Sequence, residues 1–264
     1  MPSLSWEVAA ATDRGCLRED NQDNYYVSAD QRIVVIADGM GGERGGALAS
    51  KLAVEAVEEF FWQNIPDTNN EEAVQEWLME AVSRANQSVY KTRLTNPQVA
   101  RLGTTIVIAA QSDTGLVHIA HLGDSRAYRV TANDIAVLTQ DHSVGFELVL
   151  RGQLTLEQYE TSPFRNYLTR CVGHEDQVVI DQSPAQVEAG DWLLLCTDGL
   201  TGVVREDKIA SIVRRAENPQ AACEELVKQT LAGGAPDNVT VICAQYAEKT
   251  ARVNTGEHPA YSGK

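Results

Sequence analysis

Apolar residues in this chain repeat with a period of two in some stretches and of about 3.6 in others, and the two patterns come in blocks. Arg32–Ala37 and Gly103–Ala110 are short apolar runs, the second rich in β-branched residues, and both read as buried strands. Leu116–His121, Ser125–Val130, Asp191–Cys196 and Asn238–Tyr246 read as further strands, and Asn21-Gln-Asp23 leads into another. The three strands from Gly103 to Val130 are separated only by the turns Gln111–Gly115 and Gly123-Asp124, which predicts one antiparallel meander. Helical spacing takes over from Ala47 to Phe61 and from Glu71 to Leu94, where Val57 and Phe60, then Trp77, Leu78 and Val82, share apolar faces. A second helix pair follows at Glu206–Ala216 and from Asn218-Pro219 to Leu231, the latter stopped by Gly233-Gly234. Strands and helices would alternate one for one in a doubly wound parallel sheet. The segregated order seen here predicts an α+β fold with antiparallel sheets.

Two stretches lack a clear period. Residues 141–185 break into short mixed pieces around Gly145, Gly152, Pro163 and Gly173, as expected of an insertion over a sheet edge. Residues 247–264 contain few apolar side chains and are expected to form a disordered tail, which leaves residues 5–246 as the folded domain. No apolar run approaches the roughly 20 residues of a membrane-spanning helix, and Met1–Glu7 has neither a basic head nor an apolar signal core. The five cysteines are scattered without a CxxC spacing, so neither a disulfide framework nor a zinc site is expected. A cytoplasmic, membrane-free protein follows. The net charge of −15 argues against nucleic acid as a partner. Without a heptad or a long exposed apolar stripe, a monomer is the simplest expectation.

Acidic residues sit at the ends of the strands. Asp38-Gly-Met-Gly-Gly42 ends one, Gly123-Asp-Ser-Arg126 joins two, Thr197-Asp-Gly-Leu200 ends another, and Asp237-Asn238 begins the last. Carboxylates brought together at a sheet rim repel by several kcal/mol unless cations intervene. An all-oxygen set of Asp, backbone carbonyl and water is what Mg²⁺ and Mn²⁺ prefer. Each motif alone fits an ordinary turn better than a ligand, because Asp-Gly is among the commonest turn pairs. Only the whole set, in this order, points to a metal site.

That set and its order resemble the metal-dependent PPM family of protein phosphatases, also called protein phosphatase 2C, in its bacterial single-domain branch. The resemblance runs through Thr12-Asp-Arg-Gly-Cys-Leu-Arg-Glu-Asp-Asn-Gln-Asp23, Val35-Ile-Ala-Asp-Gly-Met-Gly-Gly42, Leu102-Gly-Thr-Thr105, His121-Leu-Gly-Asp-Ser-Arg126, Asp141-His-Ser143, Cys196-Thr-Asp-Gly-Leu200 and Pro236-Asp-Asn-Val-Thr240. It implies a four-layer sandwich, two antiparallel sheets flanked by antiparallel helix pairs, with residues 141–185 as a flap beside the cleft. It further implies two Mn²⁺ or Mg²⁺ ions bridged by Asp38, with the Gly39 carbonyl on one and Asp198 and Asp237 completing the other. Asp23 would act through bound water, and Asp124 with Asp198 would form a third site. Arg18 matches the family's phosphate-binding arginine.

The implied activity is hydrolysis of phosphoserine and phosphothreonine in proteins by a metal-bridging water or hydroxide, without a phosphoenzyme. This agrees with the absence of a GxSxG nucleophile elbow and with Cys196 reading as a buried strand residue. Met40 stands where some relatives carry a histidine, and neither His121 nor His142 is assigned as general acid. Arg14, Arg126 and Arg129 read as structural ion-pair partners. The partners implied are phosphorylated substrates of serine/threonine kinases. Two rival readings are a phosphohydrolase of nucleotides or small phosphoesters, and a catalytically silent regulatory relative, which would be expected to lack metal aspartates.

Overall fold

The computed structural model describes residues 4–42 and 45–248. In chain order these form β1 (Leu4–Asp13), β2 (Asp23–Val27), β3 (Ile33–Met40), α1 (Gly45–Gln63), α2 (Glu71–Thr95) and a 3₁₀ turn (Pro97–Val99). There follow β4 (Gly103–Thr104), β5 (Ile106–Gln111), β6 (Leu116–Leu122), β7 (Arg126–Val130), β8 (Ile135–Val137), α3 (Val144–Leu150) and α4 (Leu156–Glu160). The chain then runs through β9 (Asp181–Gln186), β10 (Trp192–Cys196), α5 (Asp198–Thr201), α6 (Glu206–Arg215), α7 (Pro219–Ala232) and β11 (Val239–Glu248).

Two antiparallel sheets result. One has the order β1-β11-β10-β7-β8; the other has β2-β3-β5-β6-β9, with β4 paired to the end of β3. The apolar runs of β3 and β5 are buried on both faces, which is why they read as continuous rather than alternating. Val34, Ile36, Val107 and Ala109 face the other sheet and meet Leu193, Leu195, Ile242 and Ala244. Ile33, Val35, Ile106 and Ile108 point the opposite way, onto Val57, Phe60, Leu78 and Val82 of α1 and α2. On the far side Leu194, Val241 and Cys243 pack under Ile209, Val213 and Leu226 of α6 and α7. Helix pair, sheet, sheet and helix pair make the four layers that the resemblance implied.

Local signals set the helix starts. Asn70 accepts from the N–H groups of Glu72 and Ala73 to cap α2, and Asn218 accepts from Ala221 ahead of Pro219 to cap α7.

Three expectations need correction. The meander from Gly103 to Val130 does not form: β5 and β6 pair, but at Gly123-Asp124 the chain leaves their sheet, and β7 pairs with β10 and β8 in the other. At the crossing Gly123 has a φ of +106°, and a Cβ there would lie 2.5 Å from Thr105 Cγ2, so the turn is held to glycine. Residues 181–185 are not insertion but the edge strand β9, which tolerates Pro184 because an edge leaves one side unpaired. Ala247 and Glu248 belong to β11, paired with Ser5 and Leu4; the rest of the expected tail lies outside the described residues.

Candidate active site

The aspartates come from both sheets. Asp23 opens β2 directly opposite Asp38 in β3. Asp198 follows β10 and Asp237 precedes β11, which are neighbours in the other sheet. Asp124 sits at the crossing between the sheets. Arg18, Asp38, Gly39, Asp124, Asp198 and Asp237 together line one cleft of about 530 Å³, whose other walls include Met40, Asn166 and Leu168.

Glycine brings these carboxylates together by allowing backbone to touch backbone. A Cβ on Gly39 would lie 2.0 Å from the Gly46 carbonyl oxygen at the start of α1, and one on Gly199 would lie 1.8 Å from the Asn238 carbonyl. The second contact holds the Asp198 turn against the Asp237 turn. Neither glycine has a positive φ, so close approach, rather than turn conformation, selects the residue in both Asp-Gly pairs.

Hydroxyls and one amide fix the rest. The Asp38 carbonyl accepts from the Thr105 N–H at 2.8 Å and the Thr104 hydroxyl at 2.7 Å, while the Asp38 N–H donates to Thr105 Oγ1 at 3.0 Å. Asp23 Oδ2 accepts from Thr240 at 2.7 Å and Thr197 at 3.0 Å, tying the two sheets together. Asn238 accepts from the Gln22 N–H and donates to the carbonyls of Arg14 and Asp20, which pins the loop carrying Arg18 to the rim. Arg18 is exposed and donates to Asp237 Oδ2 at 2.7 Å. No role was read from the sequence for Thr104, Thr105, Thr197, Thr240 or Asn238; Thr197 and Asn238 stand beside an aspartate, whereas the others meet theirs only in the fold.

Without cations this arrangement is electrostatically costly. Burial, then repulsion from Asp198 and Asp237, pushes Asp23 up to about 7 despite its hydroxyl donors. Asp38 is lifted well above the carboxylate range by burial and by Asp23, Asp198, Asp124 and Asp237. Asp124 is raised in the same way, with Asp198 its main neighbour, and Asp198 is raised by burial and Asp237. Asp23 Oδ1 is buried with no hydrogen-bond partner. Mutually raised carboxylates and an orphaned buried oxygen fit an all-oxygen site for hard divalent cations.

A protein phosphatase 2C family model matches residues 11–233. The chain belongs to that family. The protein phosphatase PhpP of Streptococcus pneumoniae is 35% identical over 249 residues, covering 93% of this chain and 99% of that protein. The serine/threonine phosphatase stp of Listeria welshimeri is 32% identical over 237 residues, 89% of this chain and 93% of that one. Among solved structures, Stp1 from Staphylococcus aureus matches with a TM-score of 0.85 at 31% identity, over 91% of this chain and 95% of that one. The catalytic domain of PstP in complex with two manganese ions matches at 0.80 and 29% identity, over 93% and 100%.

Several side chains of this protein phosphatase 2C member take structural parts. Arg126 makes two bonds to Asp141, at 2.8 and 2.6 Å, and Arg129 pairs with Asp191 at 2.6 Å, as expected. Arg14 instead donates to the Glu19 carbonyl, a loop tie in place of the expected ion pair. Cys196 is buried, and burial pushes its thiol up to about 12, which leaves no thiolate for nucleophilic attack. His121 and His142 are buried, stack with ring centres 4.7 Å apart and do not line the cleft. Their nitrogens and the Asp181 carboxylate gather within 4.8 Å. Both Asp181 oxygens are held by Arg170, at 2.6 and 3.1 Å, and that fixed cation disfavours a metal ion in the same place.

Proposed function

We propose that this protein phosphatase 2C member hydrolyses phosphoserine and phosphothreonine in cytoplasmic proteins, as a monomer. The observation that carries the reading is the convergence of Asp38, Asp124, Asp198 and Asp237, from two different sheets, on a cleft that Arg18 also lines. Among the described residues no helix is long and apolar enough to cross a membrane, and the net charge of −15 disfavours nucleic acid.

Asp38, the Gly39 carbonyl, Asp198 and Asp237 would hold two Mn²⁺ or Mg²⁺ ions. Asp124 and Asp198 would hold a third ion, and Asp23 would work from behind through bound water. When bound, the ions supply a water acidic enough to attack phosphorus and positive charge for the phosphoryl oxygens. Arg18 offers a planar guanidinium to two of those oxygens, and Asp237 keeps it over the cleft. Met40 contributes wall but no proton, and the buried His121 and His142 are not placed to protonate a leaving hydroxyl.

The test is metal-stripped protein assayed on a phosphoserine peptide. Activity is expected to vanish with chelator, return with Mn²⁺ or Mg²⁺, and stay absent in Asp38→Ala at any metal concentration. Undiminished turnover in excess EDTA would refute it. A chain that prefers nucleotides or small phosphoesters over every phosphopeptide would move to the rival hydrolase reading.

A further inference from the structure

Asp124 occupies a single-residue perch where the chain crosses between sheets, and the structure shows what holds it there. Gly123, one residue before it, donates its N–H to His142 Nδ1 at 3.1 Å and accepts the His142 N–H on its carbonyl at 3.0 Å. One residue thus grips the turn from both sides of the peptide. The ring is oriented in turn: with Nδ1 accepting, Nε2 carries the proton and faces Asp181 Oδ2 at 3.2 Å. Asp181 is anchored at both oxygens by Arg170, which also donates to the Val179 carbonyl. His121 stacks on the ring and ties Gln140, two residues earlier, through the Gln140 carbonyl at 2.9 Å. The Thr169 N–H donates to the His142 carbonyl at 2.8 Å, so the flap segment beside Arg170 is joined to the same residue.

We propose that His142 is a positioning residue for the third ion site, its ring set by Asp181 and Arg170 and holding the Gly123-Asp124 turn so that Asp124 faces Asp198. The arrangement parallels ligand support at known metal sites, where an outer hydrogen-bond partner fixes the orientation of the group that binds the ion. Here the support acts one residue away, through the main chain. Gly123 has no side chain of its own to anchor the turn and glycine backbone is permissive, so the paired bonds from His142 supply the restraint. The link also runs outward: Arg170 lines a second cavity of about 540 Å³ at the flap root, beside Met40 and Asn166 of the cleft. The flap root and the Asp124 turn therefore share one chain of bonds.

The inference rests on reading Asp124 and Asp198 as ion ligands, and the experiment separates the two claims. Mn²⁺ is titrated into metal-stripped full-length protein by calorimetry, with bound ions counted by electron paramagnetic resonance. His142→Ala is expected to retain the two core ions at wild-type affinity and to bind the third about ten-fold or more weakly, the usual scale for loss of an outer partner. His142→Asn, whose amide oxygen can accept from Gly123 where Nδ1 did, is expected to recover most of that loss, which a general packing defect would not allow. If His142→Ala does not fold, Asp181→Ala carries the test, with a smaller weakening confined to the third ion. Asp124→Ala should remove the same ion, and the double variant with His142→Ala should lose nothing more. Third-ion affinity unchanged in His142→Ala or Asp181→Ala, or no recovery in His142→Asn, overturns the proposal. An additional ion lost in the double variant would overturn it in favour of a separate site made by His121, His142 and Asp181. Three ions still bound by Asp124→Ala would instead sink the reading of Asp124.

Discussion

At the scale of single residues, the site depends on what each aspartate's neighbour lets it do. Gly39 and Gly199 carry no chemistry, yet each removes a Cβ that would collide with backbone about 2 Å away and so lets an aspartate turn close on its partner. Arg18 works differently, reaching in from an exposed loop with one carboxylate as its tether. Arg18→Ala is expected to raise KM for a phosphopeptide about ten-fold or more, the scale of one charge-assisted contact, while Mn²⁺ affinity is retained. Loss of metal together with activity would mark the arginine as structural. Asp38, Asp124, Asp198 and Asp237 were legible in the sequence because each stands at a strand end next to a turn residue. The reason for glycine was not, since it depends on Gly46 and Asn238 arriving from elsewhere in the fold. Nor was the work of His142, whose partners Gly123, in the turn after β6, and Asp181, at the start of β9, meet only when β6 pairs with β9.

At the scale of elements, periodicity located the four long helices because each has one apolar face, and Asn218-Pro219 marked the start of α7. Strand identity was legible too, while strand partnership was not. Strand composition does not name the sheet a strand joins, whether it is doubly buried as β5 is or only partly buried as β7 is, so the crossing at Gly123 looked like a hairpin. Strand β1, alanine-rich, and β9, polar with a proline, gave little signal because edge strands owe their pairing to a neighbour rather than to their own residues. The flap is fastened by Tyr159, whose hydroxyl donates to Asp141 at 2.6 Å while Asp141 is gripped by Arg126. Its residues Asn166 and Leu168 then form part of the cleft wall. Replacing residues 152–163 by a short flexible linker is expected to change the ranking of a panel of phosphopeptides by several-fold and to alter hydrolysis of a small aryl phosphate far less. Equal losses on both substrates would assign the flap to edge cover alone.

At the scale of the whole molecule, the stacked sheets hold together a set of carboxylates that oppose their own burial. In the metal-free protein the folded state holds protons on these groups that the unfolded chain has already lost. With Asp23 at about 7 against an ordinary 3.8, stability is therefore highest below pH 4 for that group and falls as pH rises toward 7. Mn²⁺ competes for the same oxygens, so the rise in Tm that it produces is expected to grow between pH 5 and pH 8, by on the order of 10 °C. A metal-induced shift independent of pH would show that the ions bind elsewhere.

The crossing of the chain between sheets has a consequence for how this molecule opens. Asp23 and Asp38 belong to one sheet, Asp198 and Asp237 to the other, and the proposed ions span the seam between them. Either sheet could loosen alone in the apo protein, each under its own helix pair, whereas ions shared across the seam make separation of the halves a single event. Amide hydrogens in β3 and β11, interior strands of opposite sheets, are then expected to exchange at different rates without Mn²⁺ and to converge on one slower rate when it is added. Rates that remain independent would mean that the seam is closed without the ions, by apolar packing and the Asp23 hydrogen bonds.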